Sequence, residues 1–196
     1  MTMQIQPPFI TIVSGLPRSG TSLMMQMLTA GGIPPMTDQQ RVADDDNPRG
    51  YFELEKVKQL RQDKSWVPVA RGKVVKIIHL LLMELPSDQE YRVVFMQRDL
   101  SEVTKSQAVM LERSGKAGAA MSADKLAAIY AAQLATVSKW LAERPCFKVL
   151  EVRYAELIAD PANHAKSINI FFGGSLDESA MIAVVDPKLY RNRTTS

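Results

Sequence analysis

The sequence predicts an α/β fold: a three-layer αβα sandwich with a central parallel sheet. Apolar runs of strand length alternate with longer helical patterns, the order in which parallel strands and their helical crossovers arise. The runs are apolar throughout, with no clean two-residue alternation, as strands covered on both faces are. A glycine-bearing turn joins the first run to the first helix. In such folds ligands bind beyond the carboxyl ends of the strands, where that turn would lie.

The elements follow in order. FITIVS at 9–14 is a short β-branched run that ends at Gly15, and a helix is expected over 21–30. Met24, Met25, Met27 and Leu28 on that helix read as core packing. Residues 31–50 carry Pro34, Pro35, Asp44, Asp45, Asp46, Asn47 and Pro48 and predict a long loop, of the kind that frames a binding pocket. A second helix is expected over 53–62. KVVKII at 73–78 and YRVVFM at 91–96 are further strands. A third helix begins after Arg98, where Asp99 and Glu102 have capping-box spacing. The longest helix covers 122–144, with Leu126, Ile129, Tyr130, Leu134, Val137 and Leu141 on one face, and Pro145 stops it. FKVLEV at 147–152 is the last strand, and residues 186–196 form a short, polar, basic tail.

Composition bounds the function. A chain of 196 residues suits one domain, 1–196, and 46% hydrophobic residues can build its core. Lys and Arg number 24 against 21 Asp and Glu, a net charge of +3, too small an excess to predict nucleic-acid binding. Cys146 is the one cysteine, and His79 and His164 are the two histidines, so neither an internal disulfide nor a Cys- or His-rich metal site is expected. No apolar run nears the roughly 20 residues of a membrane span, and MTMQIQPPFITIVSG lacks the basic start of a secretory signal. A soluble, cytoplasmic protein is expected, without a membrane partner; its oligomeric state is not legible.

The segment SGLPRSGTSLMMQML at 14–28 is the most informative. A strand ends at Gly15, a tight turn holds Pro17, Arg18, Ser19 and Gly20, and a helix opens at Thr21 and Ser22. Glycine lets the backbone curl so that its N–H groups point inward, and the helix start adds free donors and the positive end of its dipole. Such a turn suits an oxyanion of phosphate type and makes the fold P-loop-like. A nucleoside-triphosphate loop would carry lysine where Thr21 stands. Here the cation, Arg18, lies inside the turn.

With these residues the chain resembles the sulfotransferases that use 3′-phosphoadenosine 5′-phosphosulfate (PAPS), and their compact bacterial members in particular. PRSGTS is similar to the family's 5′-phosphosulfate loop in its arginine form. The second family motif is an arginine ending a strand and a serine eight residues on; YRVVFMQRDLSEVTKSQ supplies Arg98 and Ser106 at that spacing. Eight residues make a little over two helical turns, which returns the serine toward the strand-end arginine. The resemblance implies that this pair holds the 3′-phosphate. VLEVRYAELIADP is similar to the segment whose tyrosine approaches the adenine, here Tyr154. LYRNR takes the place of the family's basic C-terminal loop, with Arg191 and Arg193 as the contacts.

The resemblance further implies in-line transfer of a sulfuryl group to the hydroxyl or amine of a small-molecule acceptor. Loop amides and Arg18 would stabilise charge on the bridging oxygen. The sulfuryl group carries less negative charge than a phosphoryl group, so no metal is expected. Two bases compete. His79 follows KVVKII, where cytosolic members place Lys-Thr-His, although Lys76 precedes it by three residues rather than two. Glu53, in NPRGYFELE, matches the glutamate base of other branches, with Glu55 as a lesser option. Lys76 would assist at the bridging oxygen. The alternatives are a P-loop small-molecule kinase using ATP, against which the absence of lysine at position 21 counts, and a non-catalytic nucleotide-binding module.

Overall fold

A computed structural model of the chain describes residues 8–38, 50–113 and 121–187. Its sheet has four strands, β1 (Ile10–Gly15), β2 (Val74–Lys76), β3 (Tyr91–Gln97) and β4 (Phe147–Arg153). They lie in the order β2-β1-β3-β4, and every pairing is parallel. The strand that carries the glycine turn is therefore interior, and all six of its residues are buried.

Register sorts the strand side chains onto two faces. Val13, Val74, Val94 and Met96 face the helices α1 (Thr21–Ala30), α4 (Tyr154–Ala159), α5 (Pro161–Phe172) and α6 (Glu178–Ala183). Met24, Met25, Met27 and Leu28 of α1 fill that layer, each fully buried. Ile12, Val75, Val93 and Phe95 point the other way, toward α3 (Ala123–Ala142) and short 3-10 segments. α2 (Leu100–Arg113) packs on α3. Helices on both faces of a parallel sheet make the expected sandwich.

Four expectations are corrected locally. The helix expected over 53–62 is only a 3-10 segment, Glu55–Gln59. Its buried side chain, Val57, and the buried Leu60 that follows the segment are three apart, as the 3-10 period requires, and the segment is too short to hold an isolated α-helix. The strand expected over 73–78 is only Val74–Lys76: its ladder with β1 ends at Lys76, and Ile78 is 47% exposed. On α3, capped by Ser122 accepting from the Lys125 amide at 3.3 Å, Ile129 lies outside the buried face. β4 is not covered on both faces: it is an edge strand, and Lys148, Glu151 and Arg153 are exposed. Among the described residues no helix is long and apolar enough to cross a membrane.

Candidate active site

The turn after β1 is closed by one carbonyl. Leu16 O accepts from both the Ser19 amide (3.2 Å) and the Ser19 hydroxyl (2.7 Å). Arg18 sits in left-handed backbone at φ 68°, followed by Gly20 at φ 96°. α1 then starts with no side chain capping its first amides. A Cβ on Gly20 would lie 2.3 Å from the Tyr154 ring, and one on Gly15 would lie 2.6 Å from the Met96 carbonyl oxygen. Glycine is required at both positions by the space as well as by the backbone. Pro17 is exposed at the rim, Ser19 is buried beneath it, and Thr21 and Ser22 stand in the first turn of α1. A helix start of this kind, with a guanidinium beside it, suits an anion.

Arg98, one residue beyond β3, ties the loop to α2. Its Nη1 donates to the Arg18 carbonyl at 2.9 Å, and its Nε donates to Glu102 Oε2 at 2.8 Å. Arg18 Nε in turn donates to Ser106 Oγ at 3.0 Å. The spacing of Arg98 and Ser106 thus brings both residues to Arg18. The Arg98 guanidinium lies 4.9 Å above the centroid of Tyr154, the first residue of α4, whose ring also packs on Gly20.

Glu102, 3% exposed, joins this cluster although its spacing from Asp99 suggests a capping role. Half of that capping box forms. Asp99 Oδ1 accepts from the Ser101 amide at 2.8 Å, the Ser101 hydroxyl at 2.5 Å and the Glu102 amide at 3.4 Å. The Ser101 hydroxyl, ahead of the backbone amides, holds the Asp99 carboxyl below the usual carboxylate range. The Glu102 carboxylate does not reach back to Asp99; an arginine is the stronger partner for a buried charge.

A second cluster stands at the carboxyl end of β2. Lys76 is in register with Val13 and therefore shares the α1 face of the sheet. Its Nζ donates to the Tyr51 carbonyl and lies 3.7 Å from Glu53 Oε1. Glu53 is fixed through its backbone, whose carbonyl accepts from Thr37 Oγ1 at 2.7 Å and from the Asp38 amide at 3.3 Å. Glu55 points away to an exposed pair with Lys58 at 2.8 Å.

His79 belongs to the opposite layer. It is 3% exposed, and its Nε2 lies 3.0 Å from Gln133 Oε1 on α3. Its Nδ1 has no hydrogen-bond partner. Gln133 escaped the sequence reading because a polar residue on the inner side of an amphipathic helix carries no signal of its own. Arg191, Arg193 and residues 39–49 of the long loop lie outside the described residues. Among the described residues no group of three His, Cys, Asp or Glu side chains is placed to hold a metal ion.

The profile of the sulfotransferase domain family matches residues 10–192. No curated protein sequence matches the chain. Among solved structures, the sulfotransferase domain of the Synechococcus olefin synthase superposes with a TM-score of 0.56 at 17% identity, covering 97% of this chain and 90% of that one. A Mycobacterium tuberculosis sulfotransferase gives 0.62 at 18% identity over 92% of this chain and 71% of its own. Retinol dehydratase, solved with androsterone and the inactive cofactor PAP, gives 0.53 at 14% identity over 94% and 65%.

Proposed function

This chain belongs to the sulfotransferase domain family and transfers sulfuryl groups, and we propose that its donor is PAPS and its acceptor the hydroxyl or amine of a small molecule. The observation that carries the reading is the linked set Arg18, Ser106 and Arg98 around an uncapped helix start. The residues fit such a donor: a glycine cradle that a Cβ would fill, two guanidinium groups and a hydroxyl. When bound, PAPS supplies an activated sulfuryl group on a phosphate leaving group.

The chain's own residues divide the remaining work. The loop amides and Arg18 hold the 5′ end and take up charge on its bridging oxygen. Arg98 and Ser106 hold the 3′-phosphate, joined by Arg191 and Arg193 from the tail, and Tyr154 borders the adenine. Glu53 is the base that removes the acceptor's proton, a role supported by its place beside Lys76 on the face of the sheet that carries the loop. Lys76 serves the bridging oxygen. His79, buried against Gln133, is supported as a packing residue. Transfer proceeds by positioning and electrostatics, with no metal required by the charge of the group moved. We place the protein in the cytoplasm with no nucleic-acid partner, in keeping with its single cysteine and near-balanced charge.

The test is a thermal-shift comparison of metal-free 3′-phosphoadenosine 5′-phosphate (PAP) with ATP and magnesium. Stabilisation by PAP is expected; preference for ATP would replace this reading with a kinase.

A further inference from the structure

We propose that Glu102 is the positioning residue that makes this chain select a 3′-phosphorylated nucleotide, an inference that rests on the donor reading above. α2 presents Glu102 and Ser106 one turn apart on its buried side. Each engages the Nε of a different arginine: Ser106 that of Arg18 at 3.0 Å, and Glu102 that of Arg98 at 2.8 Å. Arg98 closes the ring by donating Nη1 to the Arg18 carbonyl. One helical turn of α2 thus sets the spacing between the cation of the 5′ loop and the cation assigned to the 3′ end.

A buried carboxylate is costly to keep, and beside a phosphate subsite its charge opposes the ligand. Its compensation is orientation. A phosphate is gripped well by a planar guanidinium fork already aimed at it, and an arginine held at Nε, at Nη1 and over a ring loses little freedom on binding. The two effects have opposite signs, which makes the proposal decidable. If charge governed, removing the carboxylate would tighten binding of a 3′-phosphate; if aim governs, it weakens it.

The experiment is isothermal titration of the full chain with PAP and with adenosine 5′-phosphate, which lacks the 3′-phosphate. Wild type is expected to prefer PAP. Glu102→Ala is expected to lose roughly tenfold to a hundredfold in PAP affinity, the size of a charged hydrogen bond; Glu102→Gln, whose amide oxygen can still accept from Arg98 Nε, is expected to lose less, and both to keep their affinity for adenosine 5′-phosphate. A wild type indifferent to the 3′-phosphate overturns the donor reading and this one with it. A wild type that prefers PAP, with a Glu102→Ala variant that keeps or raises the ratio, overturns the role of Glu102 alone. Equal loss of both nucleotides, including through misfolding, assigns Glu102 to stability and overturns it too.

Discussion

Lys76 and His79 are three residues apart in sequence, yet they finish in different layers of the molecule. Lys76, still in the sheet, keeps the face of Val13 and meets Tyr51 and Glu53 beside the loop. His79, past the strand end, turns under α3 and meets an amide, Gln133. The first neighbourhood holds an ion pair and is half-open; in the second the partner is an uncharged amide and the site is closed. A titratable side chain can move protons for a ligand only where the ligand reaches it, so the end of β2 at Lys76 and the 3-10 turn that opens at His79 separate two residues that a linear motif would group together.

This contrast can be broken or sharpened by substitution. The largest effect is expected from Arg18→Ala and Arg98→Ala, which lie with the Lys76 layer: each should abolish PAP binding in isothermal titration, and retained binding by Arg18→Ala would remove the loop from the site. Glu53→Gln comes next. It should leave PAP affinity intact and lower kcat by about 10²–10⁴, the usual worth of a general base; an unchanged kcat would return the role to His79. Gly20→Ala forces a side chain into the Tyr154 ring from left-handed backbone. It should cost at least ~1–3 kcal/mol of stability by urea titration and weaken PAP, whereas a tolerated alanine would show the ring yields. The smallest effect is expected from His79→Ala: a loss of about 1–3 kcal/mol for the orphaned Gln133 partner and the vacated space, with kcat preserved. A collapse of kcat there would erase the distinction between the two layers.

Much of the fold was legible because strong local signals agree with it. β1, the turn and α1 combine a β-branched run, glycine and a helix start, and β3 is apolar from Val93 to Met96. The α4–α6 region went unread although its punctuation was present. Asp160 caps α5 by accepting from the Asn163 amide at 3.1 Å, with Pro161 next to it, and Asp177 caps α6 by accepting from the Ala180 amide at 2.9 Å. Short helices of six residues have too few turns to show a period. Within the site, the resemblance to the family's strand-end motif led to Arg98 and Ser106, but not to their meeting at Arg18 or to Glu102. Those depend on where β3 delivers α2 against the loop, a tertiary fact that no local pattern encodes.

The position of β1 also bears on how the chain folds. The strand that carries the glycine turn comes early in the sequence, yet its hydrogen-bonding neighbours β2 and β3 come dozens of residues later. Parallel pairing over such separations pays its loop-closure entropy before any ladder rewards it, which slows folding. The turn after β1 therefore has no platform until Tyr91–Gln97 docks, and recovery of the proposed nucleotide binding should trail the gain of helical signal during refolding.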